Sequence, residues 1–167
     1  MNEALRLTAL YVRNLLGHPE NLIKIGRLGE NIEDFTTDYI GADALGAATR
    51  MASGQTYDGD SEEMTYAQQW QLPVTLSFYG NNAWANGTKL AVLIPSQKSY
   101  ELQQSLGLGV FQASQLTDVK ILTGQQYGNR YELALNIRFS LQAIVDTFRI
   151  DTAQIELRTE TGVEIQP

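Results

Sequence analysis

The chain has one histidine and no cysteine, so few of its residues could do chemistry. His18 lies between Gly17 and Pro19. A general base must be held by a second group beside a nucleophile, and no sequence neighbour supplies either, which leaves a surface turn as the plainer role. Asp58, Asp60, Glu62 and Glu63 crowd into Asp58-Gly59-Asp60-Ser61-Glu62-Glu63 and invite comparison with a calcium loop. An EF-hand loop needs glycine at its sixth position and a bidentate glutamate at its twelfth. Counted from Asp58, those positions hold Glu63 and Gln69, so the match fails. A looser calcium or magnesium site stands against the default of a solvated acidic loop. In Ile25-Gly26-Arg27-Leu28-Gly29-Glu30 the glycines suggest a phosphate loop, but the lysine and the following Ser/Thr are missing, and a turn is expected. No carboxylate pair stands out for glycoside hydrolysis. The lack of thiols excludes a disulfide framework, thiolate metal sites and a cysteine nucleophile. The expectation is a chain with no catalytic residue, no metal and no cofactor.

Trp70, Trp84 and the tyrosines could stack on nucleic-acid bases, but the basic residues that single-strand binders interleave with aromatics are missing around them. Core packing is the better assignment. The overall balance agrees: 12 Lys+Arg against 19 Asp+Glu give a net charge of −7, which opposes a phosphate-gripping surface. At 167 residues, with 43% hydrophobic and 19% charged residues, the chain is expected to be one domain with a core of its own rather than a disordered tail. No run is long enough to cross a bilayer and the start lacks a signal-peptide pattern, so a soluble cytosolic protein is expected.

The elements that must position these residues follow from periodicity. Residues 3–16 read as an amphipathic helix, with Leu5, Ala9, Val12 and Leu16 on one stripe and Leu10 and Leu15 widening it. Gly17 and Pro19 stop it. Residues 22–25, 34–40 and 45–51 are short strand pieces, and 53–63 is a flexible acidic loop. From residue 64 to 78 the even positions are apolar (Met64, Tyr66, Trp70, Leu72, Val74, Leu76, Phe78), which predicts a long strand with one buried face. Pro73 demands an edge or a bulge there. A turn at 79–82 leads to a helix over 83–93 capped by Asn81 or Asn82, with Gly87 a weak point and Trp84 in the core. Residues 96–106 form a second helix with Tyr100 and Leu102 inward. Apolar runs at 110–111 and 119–122 precede another alternating strand, in which Tyr127, Tyr131, Leu133, Leu135, Ile137, Phe139 and Leu141 share one face. A last strand through Phe148, Ile150, Ile155 and Leu157 ends in a polar arm, residues 159–167. The fold class is α+β: an antiparallel sheet of long amphipathic strands with helices packed on one face, in a single domain spanning 1–167. Gln68, Gln71, Thr75, Arg138 and Gln142 are assigned to the wetted side as contact surface.

Three features occur in a fixed order. A strand with Gln69-Trp70-Gln71-Leu72 closes with Ser77-Phe78-Tyr79-Gly80-Asn81-Asn82-Ala83, an aromatic-Tyr-Gly turn into an alanine-rich helix. A step Leu106-Gly107-Leu108-Gly109-Val110 follows, then an aromatic strand start Tyr127-Gly128-Asn129-Arg130-Tyr131-Glu132-Leu133. In this order and spacing, over roughly residues 64–157, the chain resembles the neck or tail terminator proteins of tailed bacteriophages. The first helix extends the likeness, whereas residues 42–63 are longer and more acidic than the family pattern. The resemblance implies a virion protein without enzymatic activity, made in the host cytoplasm, that forms a homo-oligomeric ring, most often a hexamer. Such a ring caps the tail tube, joins the tail to the head connector and lets genomic DNA pass without specific binding. Its implied partners are copies of itself and the adjacent neck, connector and tail-tube proteins, with no membrane involved. On this expectation Asp58, Asp60, Glu62 and Glu63 face the DNA channel or an adjoining ring; the plain alternative is that they keep a loop soluble. Thr159, Glu160, Val163, Glu164 and Ile165 form an arm that adds to the next subunit. Two rivals remain open: a small cytosolic enzyme with carboxylates at strand ends, which needs a pocket with two convergent acids, and a monomeric ligand- or peptide-binding module, which needs a concave apolar patch.

Overall fold

A computed structural model describes residues 2–26, 37–119, 121–123 and 126–147. Helix α1 (Asn2–Leu16) opens the chain, followed by a 3-10 turn (Glu20–Leu22) and strands β1 (Ile23–Ile25), β2 (Ile40–Ala44), β3 (Thr49–Asp58) and β4 (Glu63–Tyr79). Helices α2 (Ala83–Leu93) and α3 (Gln97–Leu106) come next, then β5 (Leu108–Gln112), β6 (Thr117–Asp118), β7 (Ile121–Thr123), β8 (Gln126–Gly128) and β9 (Arg130–Asp146). The main sheet has seven strands in the order β1-β2-β4-β9-β5, with β3 also on β4 and β6 also on β9. All its pairings are antiparallel except β1 with β2. This is the α+β class the periodicity predicts.

The axis of the sheet is the pairing of β4 with β9, in register from Glu63↔Asp146 to Tyr79↔Arg130. Leu72, Val74, Leu76 and Phe78 of β4 and Leu133, Leu135 and Ile137 of β9 are buried on one face, as alternation requires. The helices cover them. On α1 Leu5, Ala9, Val12, Leu15 and Leu16 of the predicted stripe are buried while Leu10 is only half-buried, and Ala4, Thr8 and Tyr11 join them. The buried Thr8 hydroxyl is satisfied by donating to the Ala4 carbonyl at 2.7 Å. A buried polar chain then ties the layers together. The Tyr11 and Ser99 hydroxyls lie 2.7 Å apart, Gln103 donates to Ser99 Oγ at 2.9 Å, and Gln103 Oε1 accepts the Val110 N–H at 2.8 Å. Helices α1 and α3 and strand β5 are thereby held in one arrangement.

Several expectations change. The 53–63 loop is instead the second half of β3, paired to β4 from Ala52↔Gln69 to Asp58↔Glu63, and only 59–62 form the turn. Asp58-Gly59 is itself a hairpin signal. The acidic side chains hide it, because charge speaks about solvent and not about backbone pairing. Pro73 sits in a central strand, yet its position obeys the underlying rule. Its carbonyl accepts the Leu45 N–H, so its missing donor points to the same side, and there β2 has ended opposite Val74 while β3 starts opposite Gln71. Tyr100 is 60% exposed and Ser99 takes the inward place, because the α3 phase follows the hydroxyl network. Trp84 is also exposed, its ring edge-on to Tyr131 at 5.3 Å. Gly87 is no weak point left by accident, since a Cβ there would fall 2.7 Å from a Leu116 methyl. The last predicted strand, the polar arm and residues 34–36 lie outside the described residues.

Candidate assembly surface

The helices cover only half of the long strands. Beyond Trp70 and Phe139, residues 63–70 of β4 run on between β3 and residues 139–146 of β9 as a three-stranded ribbon. Register places Tyr57, Met64 and Val145 in one row on the core side of the ribbon, then Gln55, Tyr66 and Ala143, then Ser53, Gln68 and Leu141. This face continues the core face but is open: Tyr66 is 45%, Val145 50% and Leu141 57% exposed. Gln68 is therefore not on the wetted side assigned to it. Gln71, Thr75, Arg138 and Gln142 do lie on the opposite face, where Arg138 donates to Gln71 Oε1 at 3.1 Å and its guanidinium covers the Phe111 ring at 4.7 Å.

The turn brings the predicted acids to the ribbon tip. The Asp60 N–H donates to Asp58 Oδ1 at 3.0 Å, and Glu62 takes a positive φ of 55° to close the hairpin. Register adds Asp146 opposite Glu63, a fifth acid that sequence distance conceals. Among the described residues no group of three or more His, Asp and Glu side chains is arranged to hold a metal ion. Thr159, Glu160, Val163, Glu164 and Ile165 lie outside the described residues.

The opposite face carries a depression of about 360 Å³ lined by Asp43, Thr75, Ser77, Tyr79, Arg130 and Glu132, among others. Arg130 is ion-paired to Glu132 and lies over the Tyr79 ring at 5.5 Å, so one of the two acids is already neutralised by a cation. His18 is not there. Its Nε2 donates to the Asp38 carbonyl at 2.9 Å, which places the ring proton on Nε2 and makes the imidazole a brace between α1 and the segment before β2.

That segment explains the aromatic-Tyr-Gly turn. Gly80 has φ +95°, and a Cβ there would lie 2.5 Å from both the Thr37 carbonyl oxygen and Asp38 Oδ1. Asp38 then accepts the Asn82 N–H at 2.9 Å through Oδ1 and the Asn82 amide at 2.7 Å through Oδ2. The predicted cap is thus inverted. The Asn82 side chain makes no capping bond of its own, and a distant aspartate satisfies the backbone at the start of α2.

The groups that sequence reasoning passed over are the open strand edges of the ribbon. The Asp58-Gly59 turn was the signal that could have found them.

No curated protein matches the chain. A family profile described as phage neck terminator protein matches residues 10–162, which takes in the second half of α1, the Gly80 turn and the whole of the β4–β9 pairing. With nine-tenths of its length matched by that profile, the chain belongs to the phage neck terminator protein family, whose members are structural proteins of the virion rather than enzymes.

Proposed function

We propose that the chain forms a homo-oligomeric ring, a hexamer, that caps the tail tube, joins the tail to the head connector and leaves a channel for genomic DNA. The observation that carries this reading is the ribbon. A single domain has no reason to extend its core face past its own helices and leave Tyr66, Leu141 and Val145 in water. A neighbour in an assembly supplies the reason. Such a subunit is made in the host cytoplasm and ends in the virion neck, between connector and tail-tube proteins.

The acidity fits passage without adhesion. Six copies at −7 each carry roughly −42, a field that repels phosphate. In this proposal Asp58, Asp60, Glu62 and Glu63 at the ribbon tip face the channel or an adjoining ring, and the 159–167 arm reaches the next subunit.

The test is a phage lacking the chain, examined by electron microscopy of lysates. The expected result is DNA-filled heads and unattached tails, with joined particles restored when the chain is supplied in trans. Joined, infectious particles at normal titre without the chain would contradict the proposal.

A further inference from the structure

Among the described residues the ribbon has two bare edges, and their geometry restricts how they can be used. In an antiparallel ladder alternate residues point both backbone groups to one side. On β9 the Thr147 N–H bonds the Glu62 carbonyl, while the Ala134 and Arg130 carbonyls accept N–H groups from the far side. By alternation Ser140, Gln142 and Ile144 turn their N–H and C=O groups away from β4. On β3 the bonded partners of β4 are Ala52, Gly54, Thr56 and Asp58, which leaves Ser53, Gln55 and Tyr57 turned outward. All of these outward residues are exposed.

The other sheet margins are blunted. At β5 the outward Val110 N–H is taken by Gln103 Oε1, and β1 is three residues long and carries Lys24. Those are ordinary defences against edge pairing. Beyond the bulge at Arg50/Ala52 that opens β3, the ribbon is unguarded: residues 52–57 of β3 and 139–145 of β9 contain no charge and no proline.

The two edges also match each other. Both strands run towards the acidic turn, since each is antiparallel to β4. The outward residues of β3 lie on the core face, whereas those of β9 lie on the opposite face. In a parallel pair, a residue bonds to the two neighbours of the residue directly opposite it, and directly opposite residues share a face. Outward Gln55 then sits opposite Ala143 and bonds to Gln142 and Ile144, with both core faces on the same side. Antiparallel pairing of the same two edges would set outward residues opposite one another and turn the apolar face of one copy away from that of the next. Because the edges sit on opposite sides of one ribbon, each contact leaves another open until a closed ring consumes them all.

We propose that β3 of one copy pairs in parallel with residues 140–146 of β9 in the next copy, with Gln55 level with Ala143 or staggered by two residues to Leu141 or Val145. This deepens the ring proposal, on which it rests, by naming the surface through which copies meet.

The chain has no cysteine, so introduced thiols are the only ones present. The variants are Q55C/L141C, Q55C/A143C and Q55C/V145C, oxidised mildly and run on non-reducing gels, with the sedimentation mass of the unmodified chain measured in parallel. Within one copy the two positions are two strands apart, about 10 Å, too far for a disulfide. One of the three double variants is expected to give a ladder ending at the ring size, and the single Q55C variant to give none. Gln55→Pro removes an outward donor without touching the β4 ladder, and loss of the ring mass with an unchanged far-UV spectrum is expected. A ring mass without a ladder from any double variant would overturn the edge pairing and leave the ring standing. Dimers from Q55C alone would overturn it in favour of a two-fold β3–β3 contact. A monomer up to sub-millimolar concentration would overturn both proposals.

Discussion

The two halves of the β4–β9 pairing share strands, register and alternation but have opposite fates. From Leu72 to Phe78, with Leu133, Leu135 and Ile137 opposite, the apolar face is sealed under three helices. From Met64 to Trp70, with residues 139–145 opposite, the same face is open along the ribbon. Alternation therefore decides which face of a strand is apolar, and the reach of the packed helices decides whether that face is dry. In a protein built to be alone the two would coincide. On the proposed assembly, their mismatch is where the neighbouring copy packs.

The sharpest way to break this contrast is a pair of identical truncations. Leu135→Ala, in the sealed half, should lower unfolding free energy by about 3 kcal/mol through lost burial and a residual cavity. Leu141→Ala, three rows along the same strand face, should change the stability of the isolated chain by no more than about 0.5 kcal/mol. Urea denaturation of both variants measures the difference, and equal losses would mean that the ribbon is packed in solution.

Gly80→Ala comes next. It joins a positive φ to a clash with the Thr37 carbonyl and Asp38, at the turn that aims β4 into α2. A loss of about 2 kcal/mol is expected in thermal or urea unfolding. The same substitution at Gly54, where an added Cβ meets nothing, should leave stability near that of the parent.

Among the buried positions the smallest loss belongs to Tyr11. Burial pushes its phenol above the usual tyrosine range, and the hydrogen bonds with Ser99 and Gln103 pull it partway back. The folded state therefore holds its proton more tightly than the unfolded chain. The stabilisation is intact below the unfolded value of about 10 and is lost as pH rises through the higher folded value. Tyr11→Phe should cost about 1 kcal/mol at neutral pH, from loss of the buried Tyr11–Ser99 hydrogen bond, while Ser99 Oγ keeps its Gln103 donor. It should also flatten the alkaline fall in stability, measured as midpoint against pH.

Much of this layout was legible from residue order. Helices α1 and α2, the covered face and the α+β class follow from spacing, because side-chain period is set by backbone geometry. Three kinds of fact were not. Ser99 displaces Tyr100 because a hydroxyl chain across three elements outweighs the hydrophobicity of one ring. Asp38 caps α2 from 44 residues away, and no local pattern announces a distant carboxylate. The hairpin at 53–63 reads as a loop because its strand is exposed along its whole length, so it lacks the apolar alternation by which strands are recognised. Of the acids at the tip, four are neighbours in sequence, but the fifth, Asp146, arrives only through cross-strand register.

Amide hydrogen exchange, residue by residue, tests the central claim most directly: that the bare ribbon edges are the surfaces through which copies meet. Leu133, Leu135 and Ile137 should be protected at every concentration. Ser53, Gln55, Tyr57, Ser140, Gln142 and Ile144 should exchange freely in the dilute monomer, then slow by about a hundredfold once the chain stands a hundredfold above its dissociation constant. If those six amides exchange equally fast in a ring-sized species, the copies meet elsewhere and the account is wrong.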